Sequence, residues 1–160
     1  MALLRGVSRS FYVSIRLLPA GLRRPIAVAY LLARAADTVA DTATVPVAQR
    51  LEMLAELAKA FDGAGMVGNE LPTLRDPGPI TRLQEDAHER ELILALPHCL
   101  ESLGTLDAAD RADVQAVLRT ITQGQLLDLQ RFGDGGSVIA LESAAQLDEY
   151  TYLVAGCVGE

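Results

Sequence analysis

The chain has 160 residues, half of them hydrophobic, and a formal net charge of -7. That length fits one domain over residues 1–160 with a buried core, and the apolar content excludes a disordered chain. The acidic balance, without a local basic patch, excludes a surface built to neutralise phosphate backbones, so no nucleic-acid partner is expected.

No run of about 20 apolar residues crosses a membrane, and the opening MALLRGVSRS lacks the apolar core of a signal peptide. Cys99 and Cys157 fit neither a CxxC nor a metal-ligand spacing. A cytoplasmic protein with two buried, reduced cysteines is the expectation.

Ala, Leu, Glu, Arg and Gln dominate and long alternating runs are missing, so the chain reads as all-α. A first helix covers 8–18, stopped by Pro19. Pro25 sits near the first turn of a second, which reaches Asp41. Pro46 opens a third, running to Phe61 with Leu51, Leu54, Ala58 and Phe61 on one face. A Gly/Pro-rich connection spans 62–79. Thr81 caps a helix to about Leu96, ended by Pro97, and a short helical piece follows. Asp107, with Asp110 three residues on, caps a long helix to about Phe132. GDGG then breaks the chain, and a last helix occupies 144–160.

The second helix carries the most informative pattern. At 100° per residue from Tyr30, Arg34 falls at about 40°, Asp37 at about -20° and Asp41 at about 20°. Apart from Thr38, everything polar in the helix's later turns shares this narrow stripe, and the rest is apolar all round. Such a helix is normally buried on every side. The stripe must then face a polar cavity, a partner charge or a metal, because an unpaired buried carboxylate is very costly. The negative end of the helix dipole makes the pair worse still. Arg34 can compensate one carboxylate through an i,i+3 contact, which leaves the other unexplained.

Two other acidic i,i+4 pairs serve as controls. Glu52 and Glu56 lie opposite the apolar stripe of their helix, and Glu85 and Glu89 stand among Arg82, His88 and Arg90; both read as solvated faces. For Asp37 and Asp41 the structural alternative is an Arg34 salt bridge with a helix-end acceptor. The functional reading is a divalent cation. Mg²⁺ takes one or two carboxylates and completes its shell with water and phosphate oxygens, so the pair would recruit an anionic diphosphate.

With SRSF at 8–11, LLARAADTVADT at 31–42, GQLLDL at 124–129 and YTYLVAGCVGE at 150–160, the chain resembles the squalene/phytoene synthase family of head-to-head prenyl synthases. DTVAD resembles that family's first aspartate-rich motif, with Arg34 and Tyr30 before it. GQLLDL takes the place of its Gly-x-x-x-Asp helix, and the last segment its Tyr-containing VAG-x-VG signature. Within the family these segments look closer to bacterial squalene synthases than to plant-type phytoene synthases.

The resemblance implies the all-helical prenyl synthase bundle around a central cavity. It also implies condensation of two farnesyl diphosphates to presqualene diphosphate, then reduction to squalene by NADPH. Phytoene-type members instead condense the longer geranylgeranyl diphosphate without a hydride. Under this reading Asp37 and Asp41 hold Mg²⁺, and Arg34 contacts a diphosphate or orients Asp37. Ser8, Arg9 and Ser10 supply further donors, ordinary capping being the alternative for the serines. Tyr30 hydrogen-bonds the diphosphate unless a backbone partner takes it. Phe11 lines the apolar cavity, Tyr150 matches the catalytic tyrosine, and Gln125 and Asp128 are further candidates. Val154, with Ala155, Gly156 and Gly159, lets a prenyl tail or a neighbouring helix come close.

The family has a second aspartate-rich motif on a later helix, and no matching carboxylate pair follows Tyr150 in this sequence. The expectation is the N-terminal part of the fold, without synthase activity on its own. Uncovered apolar surface would favour self-association, and an apolar product would favour peripheral association with a membrane surface. A catalytically silent helical protein that keeps a prenyl- or partner-binding cavity is the alternative from another class.

Overall fold

The computed structural model describes residues 2–63, 78–133 and 140–159. Most of the connection expected over 62–79, and all of GDGG but Gly133, lie outside the described residues. The elements are helices: α1 (Ala2–Val7), α2 (Arg9–Leu17), α3 (Ala20–Asp41), α4 (Val47–Asp62), α5 (Gly78–Leu83), α6 (Ala87–Leu94), α7 (Leu96–Gly104), α8 (Ala108–Phe132), α9 (Ala144–Val154) and a 3₁₀ turn at Gly156–Gly159. Among the described residues there is no strand, as the composition predicted.

Local chemistry sets most of the starts. Ser8 accepts from the Phe11 N–H at the head of α2, Asp107 accepts from Ala109 and Asp110 at the head of α8, and Ser143 accepts from Gln146 at the head of α9. Each cap satisfies backbone donors that the first helical turn leaves open.

Several boundaries differ from the sequence expectation. Helix α3 begins at Ala20, so Pro25 lies in its second turn. The carbonyl that loses its donor there belongs to Gly21, which is exposed to water. The helix expected over 81–96 is two helices, because Asp86 accepts from the His88 and Glu89 N–H groups and starts α6 afresh. Thr81 instead lies inside α5, and Pro97 opens α7 rather than ending a helix, since an N–H near a helix start has no intrahelical partner to lose. The last helix stops at Val154 and tightens into the 3₁₀ turn. A short α1, not foreseen, packs on α2 and α6 and buries Leu4 completely.

Helix α3 is the axis of the molecule. It packs against α8, α7, α4, α6 and α2. Small residues on its last turns permit this: Ala35, Ala36, Val39 and Ala40 are buried against Leu54, Leu57 and Phe61 of α4, Leu92 and Ile93 of α6, and Leu96 and Leu100 of α7 in one apolar cluster. Burial of this kind contributes roughly 25 cal/mol per Å² of apolar surface and supplies most of the cohesion. Cys99 and Cys157 are both buried and form no disulfide, and burial pushes the Cys99 thiol up to about 11. Among the described residues no helix is long and apolar enough to cross a membrane.

Candidate functional site

The stripe on α3 is not enclosed. Arg34 and Asp37 keep about a third of their side chains exposed, at 34% and 37%, and Asp41 is exposed at the helix end. The expectation of a helix buried on every side therefore holds for the core-facing turns and fails along the stripe. Ile26 on the first half is likewise exposed.

Arg34 does not pair closely with Asp37. Its Nη1 stands 4.0 Å from Asp37 Oδ2, whereas its Nη2 donates to Glu89 Oε1 on α6. Glu89 is thus not part of a solvated face: its side chain is only 18% exposed. Glu52, by contrast, is exposed as expected.

Asp37 accepts a 2.5 Å hydrogen bond from Gln125 Nε2 on α8. Burial first, and Asp41 second, push the Asp37 carboxyl above its ordinary range; Arg34 pulls it back and Glu89 pushes it further. Partial desolvation also raises Asp41, against Arg34 and Arg50 and with Glu89 and Asp128. For Arg34, desolvation works against the charged form, and Glu89, Asp37 and Tyr30 more than offset it. The interacting set holds four carboxylates, Asp37, Asp41, Glu89 and Asp128, against two guanidiniums, Arg34 and Arg50. Carboxylates outnumber guanidiniums in this set.

One turn beyond Gln125, Asp128 Oδ1 accepts from the Tyr150 hydroxyl at 2.9 Å. That bond, more than burial, raises the Tyr150 pKa, because the phenolate would face a carboxylate. The ring of Phe132 meets Tyr150 edge-on at 6.1 Å between centroids. Helices α8 and α9 come this close through Gly124, where an added Cβ would lie 3.0 Å from the Leu153 carbonyl. Among the described residues no neighbouring helix makes a close approach at Gly156 or Gly159. A Cβ at Gly159 would meet nothing within 4 Å, and one at Gly156 only ordinary contacts. Val154, the last residue of α9, is half-buried.

The SRSF segment divides. Phe11 is half-exposed and stacks on Tyr30 at 4.4 Å, which places an aromatic pair one turn before Arg34. Ser8 is a helix cap, the alternative that its position allowed. Ser10 is exposed. Arg9 lines an open concavity of about 500 Å³ with Arg5, Tyr12, His88 and Glu91, whose lining includes none of Asp37, Asp41, Gln125 or Asp128.

Three residues of the site had no assigned role in the sequence: Glu89, Gln84 and Arg50. Gln84 Nε2 donates to Glu89 Oε2 at 3.0 Å and to Thr42 Oγ1 at 3.1 Å, fixing the end of α3 to the α5–α6 junction. Buried Arg50 donates to the Ala40 carbonyl at 2.5 Å, so a cation from α4 sits at the negative end of α3 beside Asp41. It answers part of the electrostatic problem that the sequence posed. The D-x-x-E spacing of Asp86 and Glu89 was the one signal that could have moved the helix start to α6.

The donor set suits a hard divalent cation. Two carboxylates at i,i+4, destabilised by desolvation and by each other, would be relieved by it. Among the described residues no three His, Cys, Asp or Glu side chains form a metal-binding group, so the remaining shell would fall to water or ligand oxygens.

A family model described as Squalene/phytoene synthase matches residues 4–160. The squalene synthase of Schizosaccharomyces pombe is 29% identical over 159 residues, 98% of this chain and 31% of that protein. The squalene synthase of Mycosarcoma maydis is 26% identical over 153 residues, 96% of this chain and 24% of that protein. This chain therefore spans less than a third of the length of either fungal relative. A solved complex of TcSQS with the ligand E5700 superposes with a TM-score of 0.72 at 25% identity, covering 99% of this chain and 40% of that one. With its all-helical architecture and its aspartate stripe on α3, the chain belongs to the squalene/phytoene synthase family.

Proposed function

We propose that this chain forms the first aspartate-bearing wall of a prenyltransferase that joins two farnesyl diphosphates head-to-head, giving presqualene diphosphate and then squalene. The observation that carries the reading is the pair Asp37 and Asp41, on a stripe open to solvent and with Arg34 drawn to Glu89. Family membership supplies the reaction class. The squalene-type reaction is preferred to phytoene-type condensation of geranylgeranyl diphosphate because the fungal relatives are squalene synthases.

Asp37 and Asp41 would hold Mg²⁺. When bound, such a cation neutralises the charge that develops on a departing diphosphate. Gln125 orients Asp37 through its amide, and Arg50 steadies the end of α3 that carries Asp41. Arg34, clamped by Glu89 through Nη2, leaves Nη1 beside Asp37 for an anionic ligand. The stacked faces of Phe11 and Tyr30 offer an apolar, π-rich surface suited to a prenyl chain and its carbocation. Tyr150 keeps its proton, because its hydroxyl donates to Asp128 and its pKa is raised. The reductive step enters through the family reading alone, and none of the described residues is assigned to NADPH.

The test is binding of a non-hydrolysable farnesyl diphosphate analogue with and without Mg²⁺. Mg²⁺-dependent binding that disappears in Asp37→Asn with Asp41→Asn is the expected result. Unchanged binding in the double variant overturns the metal assignment, and no binding to the wild-type chain overturns the reading of a diphosphate site in this chain.

A further inference from the structure

Glu89 is the third residue of α6, where a carboxylate ordinarily folds back onto the backbone N–H of the capping residue. That N–H, on Asp86, is already taken by Gln84 Oε1 at 3.0 Å. Glu89 is thereby released from capping. Its Oε1 accepts from Arg34 and its Oε2 from Gln84, whose amide also reaches Thr42 at the end of α3. Both carboxylate oxygens are therefore held, and the side chain is the most buried of the Arg34, Asp37 and Glu89 group.

The consequence falls on Asp37. An Arg three residues before an Asp on a helix ordinarily closes onto it. Here the guanidinium is turned toward α6 and stays 4.0 Å away, beyond hydrogen-bond reach.

We propose that Glu89 is a positioning residue that draws the Arg34 guanidinium off Asp37, so that the Asp37 and Asp41 carboxylates stay without a close guanidinium partner and open to a cation. Its purpose rests on the metal reading above, while its geometry does not.

Two measurements separate the two ideas. The first is a stability cycle in metal-free buffer at pH 7. In the wild-type background Asp37→Asn raises the melting temperature by roughly 2 °C or more, since it removes a desolvated, repelled charge and keeps an acceptor for Gln125. In the Glu89→Gln background Arg34 turns to Asp37, and Asp37→Asn lowers the melting temperature. Glu89→Asp keeps a carboxylate and restores the wild-type sign. The same sign in the wild-type and Glu89→Gln backgrounds overturns the proposal.

The second measurement is calorimetric titration of Mg²⁺ in the presence of inorganic pyrophosphate. Glu89→Gln weakens Mg²⁺ binding about tenfold, the usual scale for groups that orient a metal ligand, and Asp37→Asn with Asp41→Asn abolishes it. Loss in the double variant with unchanged affinity in Glu89→Gln overturns the role of Glu89. No binding to the wild-type chain, or binding that survives in the double variant, overturns the metal reading; the sign reversal in the stability cycle then decides by itself whether Glu89 holds Arg34 off Asp37.

Discussion

Gln125 donates its side-chain amide to Asp37 at 2.5 Å and ties α8 to α3 across 88 positions of sequence. The bond fixes Asp37 Oδ1 and leaves Oδ2 toward Arg34. Replacing Gln125 by Glu puts a carboxylate in place of the donor, with little change in shape. A loss of about 1–3 kcal/mol at pH 7 is expected, measured by urea unfolding. It shrinks as pH falls through the carboxylate range, when the facing acids share a proton.

The pH dependence of stability follows from the raised carboxyls of Asp37 and Asp41. Between the ordinary value of 3.8 and the raised one, the folded chain binds more protons than the unfolded chain. The stabilisation is complete below 3.8 and is lost as pH rises through the folded value. Asp37→Asn with Asp41→Asn removes this loss. Its melting temperature exceeds that of the wild type at pH 7 in metal-free buffer, and the two converge in acid. Millimolar Mg²⁺ then raises the wild-type value by mass action and leaves the double variant unmoved. A wild-type chain as stable as the double variant at pH 7 contradicts the sign.

Arg50 is the cation at the end of α3. Arg50→Met keeps much of the buried stem and removes the hydrogen bond to Ala40 together with the charge near Asp41. A cost of about 1.5–3 kcal/mol is expected, the range for a hydrogen bond from a charged donor. Chemical denaturation measures it, and a cost under half a kcal/mol would show that the guanidinium does nothing for the helix end.

Gly124 is where α8 and α9 touch. Gly124→Ala forces a Cβ to within 3.0 Å of the Leu153 carbonyl, so the backbone of α9 must shift. The strain of about 1–3 kcal/mol exceeds the helix preference of Ala over Gly, about 1 kcal/mol. Gly159→Ala, with open space around it, is the neutral control. Paired thermal melts distinguish the two, and the Tyr150 to Asp128 bond should weaken only in the first.

The parts of the site that were legible are those whose cause is local. Ser8 and Asp107 announced their helices because a cap binds backbone two or three residues on. The alignment of Arg34, Asp37 and Asp41 followed from helical spacing, and the motifs built on it led to the family that the whole-chain match bears out. Glu89 was misread because its i,i+4 partner and basic neighbours describe a solvated face equally well. Nothing near it in sequence reports an Arg 55 positions away. Gly124 was read only as the glycine of the Gly-x-x-x-Asp resemblance, and its packing role was not legible because the wall it approaches belongs to another helix.

The sequence by itself determined that the chain is helical, where the capped helices α2, α8 and α9 begin, and that two carboxylates and an Arg share one stripe, because each depends on contacts within about four residues. Only the tertiary structure decided that Arg34 goes to Glu89, that Gln125 goes to Asp37, and that the stripe opens to solvent. Those choices rest on which helix faces are pressed together. The packing of α3 against α6 and α8 sets them through apolar side chains that carry no record of the polar pairs beside them.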